Sequence, residues 1–179
     1  MNWFNHITSL SSPFELFSFY SEHVFTEQIQ VVGIDIVLIL ALHGFCILIL
    51  TRLFQYCVKH SQVSKRFWGA FVMYFVAILL VITTHVSDIF LLALILDSMK
   101  IFPDSLTTFY YVSGMYTTIG SNSTPGQQWQ SLSMLISFCG LFAFSISGAG
   151  LYSMLGFFIA ENNKNQTKSA NTASSIATK

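Results

Sequence analysis

The stretch Ser105-Leu106-Thr107-Thr108-Phe109-Tyr110-Tyr111-Val112-Ser113-Gly114-Met115-Tyr116, followed by Thr117-Thr118-Ile119-Gly120-Ser121-Asn122, decides the fold. It lies between two much longer apolar blocks. Its first part is apolar and aromatic, and Pro103-Asp104-Ser105 at its start supply a fixed φ and capping oxygens for a helix. A helix of that length reaches only ~18 Å, short of the roughly 30 Å hydrocarbon core of a bilayer. Such a segment is re-entrant, and irregular backbone at that depth survives only when buried in protein or lining water. Thr117 to Gly126 are small, polar and turn-forming. A short helix dipping in, then extended polar backbone leading out, is what an ion filter requires. Its carbonyl oxygens replace the water shell of a dehydrated cation, and the negative end of the helix favours a cation at the membrane centre.

The flanks agree. Of the 179 residues 53% are hydrophobic and only 9% charged, where a soluble domain carries about a quarter charged residues. The apolar residues fall in blocks long enough to cross a membrane. The first spans residues 31–56, broken at its centre only by His43, and a polar, basic linker follows at 57–66 with Lys59, His60, Lys65 and Arg66. A pore domain is expected over 67–160: an outer helix, the short pore helix, the filter and an inner helix. The outer helix is apolar to Ile82 and resumes at Ile89 after Thr83 to Asp88; it reads as one long helix, since the second block alone is too short to span. The inner helix, from about Leu132 to Ala160, carries no charge. The tail at 161–179, rich in Asn, Ser, Thr, Lys and Ala, is expected to be disordered.

Residues 1–30 form an N-terminal extracytoplasmic segment. Ser12, Pro13 and Glu15 predict a helix start with a capping box. Phe14, Phe17, Val24 and Phe25 recur at roughly helical spacing, which fits an amphipathic helix at the interface or an extension of the first span. No basic leader with a small-residue cleavage site precedes it, so the segment is expected to stay on the mature chain. Arg52, Lys59, Lys65, Arg66, Lys164, Lys168 and Lys179 fall on one side of three crossings and only Lys100 on the other. The positive-inside rule therefore predicts a cytoplasmic linker and C-terminus and an outside N-terminus. The expected class is all-α integral membrane, with three transmembrane helices plus a re-entrant pore helix and filter loop.

From Phe102 to Gly120 the chain resembles the pore loop of the potassium-channel superfamily, and over about residues 30–160 it is similar to small bacterial ion channels with an extra N-terminal helix. The family filter reads threonine, threonine, valine, glycine, tyrosine, glycine, aspartate. Thr117, Thr118, Ile119 and Gly120 follow it, with isoleucine for valine; Ser121, Asn122 and Ser123 depart from it. The resemblance implies a homotetramer in a bacterial-type inner (plasma) membrane, with K+ or Na+ as permeant ions bound along Thr117, Thr118, Ile119, Gly120, Ser121 and Asn122. The inner ion sites are intact on this pattern. The outer sites depend on a tyrosine packed in an aromatic cuff and on a glycine in a conformation most residues avoid. Ser121 is too small to brace the filter, while Asn122 tolerates the left-handed region better than other residues with a Cβ. Ser123-Thr124-Pro125 after the filter also resembles cyclic-nucleotide-gated channels, which place an acidic residue where this chain has Ser121.

The expected function is a cation channel with weakened or absent potassium selectivity. The alternatives are a potassium-selective channel despite the divergent filter, and a non-conducting pore-like regulatory subunit. A small transporter would carry repeated halves, and none is evident. Gly148 and Gly150 in the inner helix are a candidate gating hinge or ordinary small-residue packing. His43, ionisable at mid-span, reads as a hydrogen-bonded neutral histidine or as a proton sensor. His85 and Asp88, one turn apart, read as a structural pair, because a metal site would need further ligands. Asp97, Lys100 and Asp104 suit an outer vestibule or a solvated rim. Cys46, Cys57 and Cys139 have no metal-site or disulfide spacing. No nucleophile triad, nucleotide loop or redox motif points to an enzyme or a cofactor, and zero net charge gives no reason to expect nucleic acid.

Overall fold

Ser12 and Glu15 close the first helix start on each other: the Glu15 N–H donates to Ser12 Oγ at 3.2 Å and the Ser12 N–H to Glu15 Oε2 at 3.0 Å. This capping box opens α1, Pro13–His23, whose Phe14 and Phe17 stand exposed. The computed structural model describes residues 12–23, 26–60 and 67–177. Val24 and Phe25, with residues 1–11 and the basic linker residues 61–66, lie outside these.

Among the described residues, three helices are long and apolar enough to cross a membrane. The first, α2, runs Glu27–His60, wider at both ends than the 31–56 read from apolarity alone. Thr26 starts it, its carbonyl accepting from the Gln30 N–H at 3.0 Å. Ile29, Val32, Ile36, Ile39, His43 and Ile47 form one buried stripe at three- and four-residue steps. The second, α3, is one unbroken helix, Phe67–Ser98. The polar run in its middle does not interrupt it, because Thr83 and Thr84 return their hydroxyls to the carbonyls of Leu79 and Val81 at 3.0 and 2.7 Å. Between α3 and the third lies α4, Ser105–Tyr116, with Asp104 as its cap.

The third long helix, α5, covers Leu132–Ala177, so most of the stretch expected to be disordered is helical. Once a helix is nucleated, each further residue adds a hydrogen bond for the backbone it fixes, so polar sequence can continue an apolar span. Lys164 pairs with Glu161 at 3.8 Å on that extension. No strand occurs among the described residues.

Packing is asymmetric. The first span lies more extensively along α5 than α3 does. One apolar cluster joins Ile36 and Ile39 of α2, Leu92 and Leu96 of α3, Tyr111 and Val112 of α4, and Ile136 and Ala143 of α5. A second, at the other end of the bundle, joins Phe54, Ala77 and Met154. Between the two, at matching depth on α2, α3 and α5, lie the buried polar side chains of His43, His85, Asp88 and Ser147.

Candidate functional site

Two features meet at the C-terminal end of α4: the loop that leaves it, and the polar layer beneath it. Asp104 begins the helix in an extended conformation, Oδ1 accepting from the Thr107 N–H at 2.8 Å and Oδ2 from the Thr107 hydroxyl at 2.7 Å. These two bonds, the backbone one foremost, hold the Asp104 carboxyl below the usual carboxylate range.

The other end is closed by the loop itself. The N–H groups of Thr117, Thr118 and Gly120 donate to the carbonyls of Ser113, Met115 and Gly114 at 3.1, 3.0 and 3.0 Å. Ser137 of α5 adds its hydroxyl to the Met115 carbonyl at 3.0 Å. Carbonyls that a helix end leaves orphaned are thus satisfied. Two glycines permit this. A Cβ on Gly114 would strike the Gly120 carbonyl, and one on Gly140 of α5 would strike the Tyr116 carbonyl.

Within the loop, positive φ falls at Thr118 (+61°) and Gly120 (+93°), with Ile119 between them outside that region. Thr118, Ile119 and Gly120 are exposed, Ile119 to 85%. Ser121 is half-buried, its Oγ accepting from the Ser123 N–H at 3.1 Å, so it closes a local turn. Asn122 is exposed and does not take the left-handed conformation its residue type allows. The backbone doubles back on α4 at Gly120, where the sequence reading expects an extended run.

The polar layer joins four elements. His43 Nδ1 lies 2.6 Å from Asp88 Oδ2, and His43 Nε2 lies 2.9 Å from Ser147 Oγ. The Tyr116 hydroxyl donates to Asp88 Oδ2 at 2.8 Å and sits 3.0 Å from His85 Nδ1. A phenol has one proton; with it given to Asp88, His85 Nδ1–H must be the donor to Tyr116. The His85 ring stacks on Phe144 at 4.3 Å and tilts against His43 at 4.8 Å. His85 and Asp88 share a helix face, but Tyr116 bridges them, in place of the direct pair their spacing suggests.

Tyr116 and Ser147 are the members that sequence reading misses. Their partners stand 28 and 104 positions away, out of reach of any local spacing rule. The available signal was depth: His43 sits mid-way along one apolar span and His85 and Asp88 mid-way along its antiparallel neighbour. Polar groups there persist only with partners.

Elsewhere, α5 continues unbroken through Gly148 and Gly150. Gly150 lies against Ile47 of α2, where a Cβ would clash, while Gly148 faces open space. Asp97 and Lys100 pair with each other at 3.4 Å at the surface. The three cysteines are free. No family model, curated protein or solved structure matches the chain.

Proposed function

We propose that the chain is a subunit of a tetrameric cation channel, with α4 as a re-entrant pore helix and Thr117 to Asn122 as the ion filter. The observation that carries this reading is the loop after α4. Its backbone takes a positive φ at Thr118 and Gly120 and is exposed, at the end of a helix of 12 residues set between two long apolar ones. Exposed carbonyl-bearing backbone at that position is stable in a membrane only when it lines water or meets other protein. One chain supplies one such segment, so an axis of four copies completes the ring, and Ile119 finds its cover between neighbours.

The permeant ions are monovalent cations, K+ and Na+. Ser121 closes a local turn and carries no ring to brace the filter, and Asn122 keeps a negative φ, so fewer ordered carbonyl rings act on the ion and discrimination is weak. The basic linker and tail face the cytoplasm of a bacterial-type inner membrane on the positive-inside rule.

The test is flux through the purified full chain in liposomes, followed by bi-ionic recording. Entry of both K+ and Na+ with little preference is expected. Absence of any cation flux would favour the regulatory-subunit reading, and a strong potassium preference would defeat the account of the outer filter.

A further inference from the structure

We propose that His43, His85 and Asp88 form a binding site for a borderline divalent transition-metal ion, with Zn2+ the natural probe. One ligand atom from each lies within 4.8 Å of the others, and all three residues are buried. The third ligand that the His85–Asp88 spacing lacks arrives from α2.

Three observations carry the assignment. First, His43 is 1% exposed, and its Nδ1 lies 2.6 Å from Asp88 Oδ2 without an aligned hydrogen bond to it or to any other group. A buried imidazole nitrogen beside a buried carboxylate oxygen needs a positive charge between or near them, which a proton or a metal ion supplies. Second, each ligand is oriented through another contact. Ser147 holds Nε2 of His43, the Tyr116 hydroxyl holds Nδ1 of His85, and the same hydroxyl bonds Asp88. Outer hydrogen bonds of this kind fix the ring and tautomer of metal-binding histidines. Third, the donor set is two imidazoles and one carboxylate, which suits zinc, cobalt or nickel better than the all-oxygen preference of magnesium or calcium.

Size agrees to within a small adjustment. Metal–ligand bonds of ~2.1 Å place tetrahedral ligands roughly 3.4 Å apart. The 2.6 Å pair must open and the widest separation, at most 4.8 Å, must close, each by about an ångström or slightly more, which side-chain rotation supplies. The fourth position falls to water. Binding itself does not depend on the pore reading.

The experiment uses the full chain in detergent, stripped of metal and titrated with Zn2+ against a chromophoric chelator, with Co2+ as a spectroscopic substitute. One Zn2+ per chain is expected, with Co2+ giving the intense visible bands of a four-coordinate site. His43→Gln and Asp88→Asn should each weaken Zn2+ binding by at least about ten-fold, while His60→Gln, on an exposed residue outside the cluster, should leave it unchanged. Absence of saturable binding overturns the proposal and leaves a shared proton between His43 and Asp88. Binding that survives the double variant His43→Gln/Asp88→Asn overturns it in favour of a surface site. The Co2+ spectrum of the unsubstituted chain decides the matter if the variants misfold: weak six-coordinate bands alone would sink the site.

Discussion

At Thr118 a β-branched residue sits at φ +61°, a region that residues with a Cβ, and β-branched ones above all, avoid. Holding it there costs on the order of 1–3 kcal/mol, which persists only where the surroundings over-determine the backbone. Here the bonds from Thr118 and Gly120 back to α4 do so. Thr118→Gly removes the strain and adds back roughly 0.5–1 kcal/mol of unfolded-state entropy, so a net stabilisation of about 1 kcal/mol is expected in thermal melts. A lower Tm would show that the conformation carries no strain. Tyr116→Phe deletes the hydroxyl that serves both Asp88 and His85, leaving a buried carboxylate short of a donor. A loss of about 1–3 kcal/mol is expected, and an unchanged Tm would mean that the layer does not hold α4 in place. At this scale sequence reading finds the chemistry and misses its partners. His43, His85 and Asp88 stand out as polar residues inside apolar runs, but only the fold shows that they share one site. Thr118 gives no warning, since propensity assigns it no positive φ.

Among the elements, those with chemical punctuation were the legible ones. Ser12 with Glu15, and Asp104 with Thr107, mark helix starts through bonds that local sequence dictates. The long α3 was legible because its threonines satisfy themselves within the helix. The end of α5 was not, because a polar, Asn- and Ser-rich composition reports intrinsic preference while a helix already nucleated can propagate past it. The packing of α2 on α5 was illegible for a different reason: an apolar span is apolar on every face, and Gly150 against Ile47 emerges only in three dimensions. Asp104 gives a pH test of the short helix. Its folded pKa lies below the unfolded value, because the Thr107 N–H and hydroxyl bond the carboxylate. Its contribution is therefore full above the ordinary carboxylate pKa of about 3.9 and is lost as pH falls through the lower folded value. Asp104→Asn should flatten that part of the Tm-against-pH curve, and an identical acid limb in both chains would remove Asp104 from the account. Gly140→Ala tests the seat of α4 on α5. The added methyl meets the Tyr116 backbone carbonyl, so a destabilisation of about 1–3 kcal/mol or more is expected.

Over the whole molecule, the proposed channel turns on what four copies of this loop would do to an ion. Selectivity belongs to the ring, since a single carbonyl makes no cage and the field at the axis is set by how many rings stay ordered. In each chain the backbone from Thr118 to Gly120 is bonded back to α4, whereas Ser121 closes only a local turn and Asn122 keeps a negative φ. The inner part of a proposed filter is therefore held to α4 by backbone hydrogen bonds, and the outer part has only the short Ser121 side chain beside Gly114. Asn122→Gly opens the left-handed region at the outer position without a Cβ penalty. Ser121→Tyr supplies a ring that can pack on aromatic surface such as Tyr110, which is exposed in the single chain and lies on α4. Neither change suffices alone: the glycine frees the backbone without bracing it, and the tyrosine braces a path the asparagine does not follow. The double variant should shift the K+/Na+ reversal potential toward potassium, with the permeability ratio rising by about ten-fold, or ~1.4 kcal/mol, over the unsubstituted chain. Each single variant should give much less than half of that in free energy, because the two act as one unit. Additive single effects would mean that selectivity is set residue by residue. No shift in the double variant, in a channel that still conducts, would place the selective sites in the inner rings, where Thr117 to Gly120 already match the pattern.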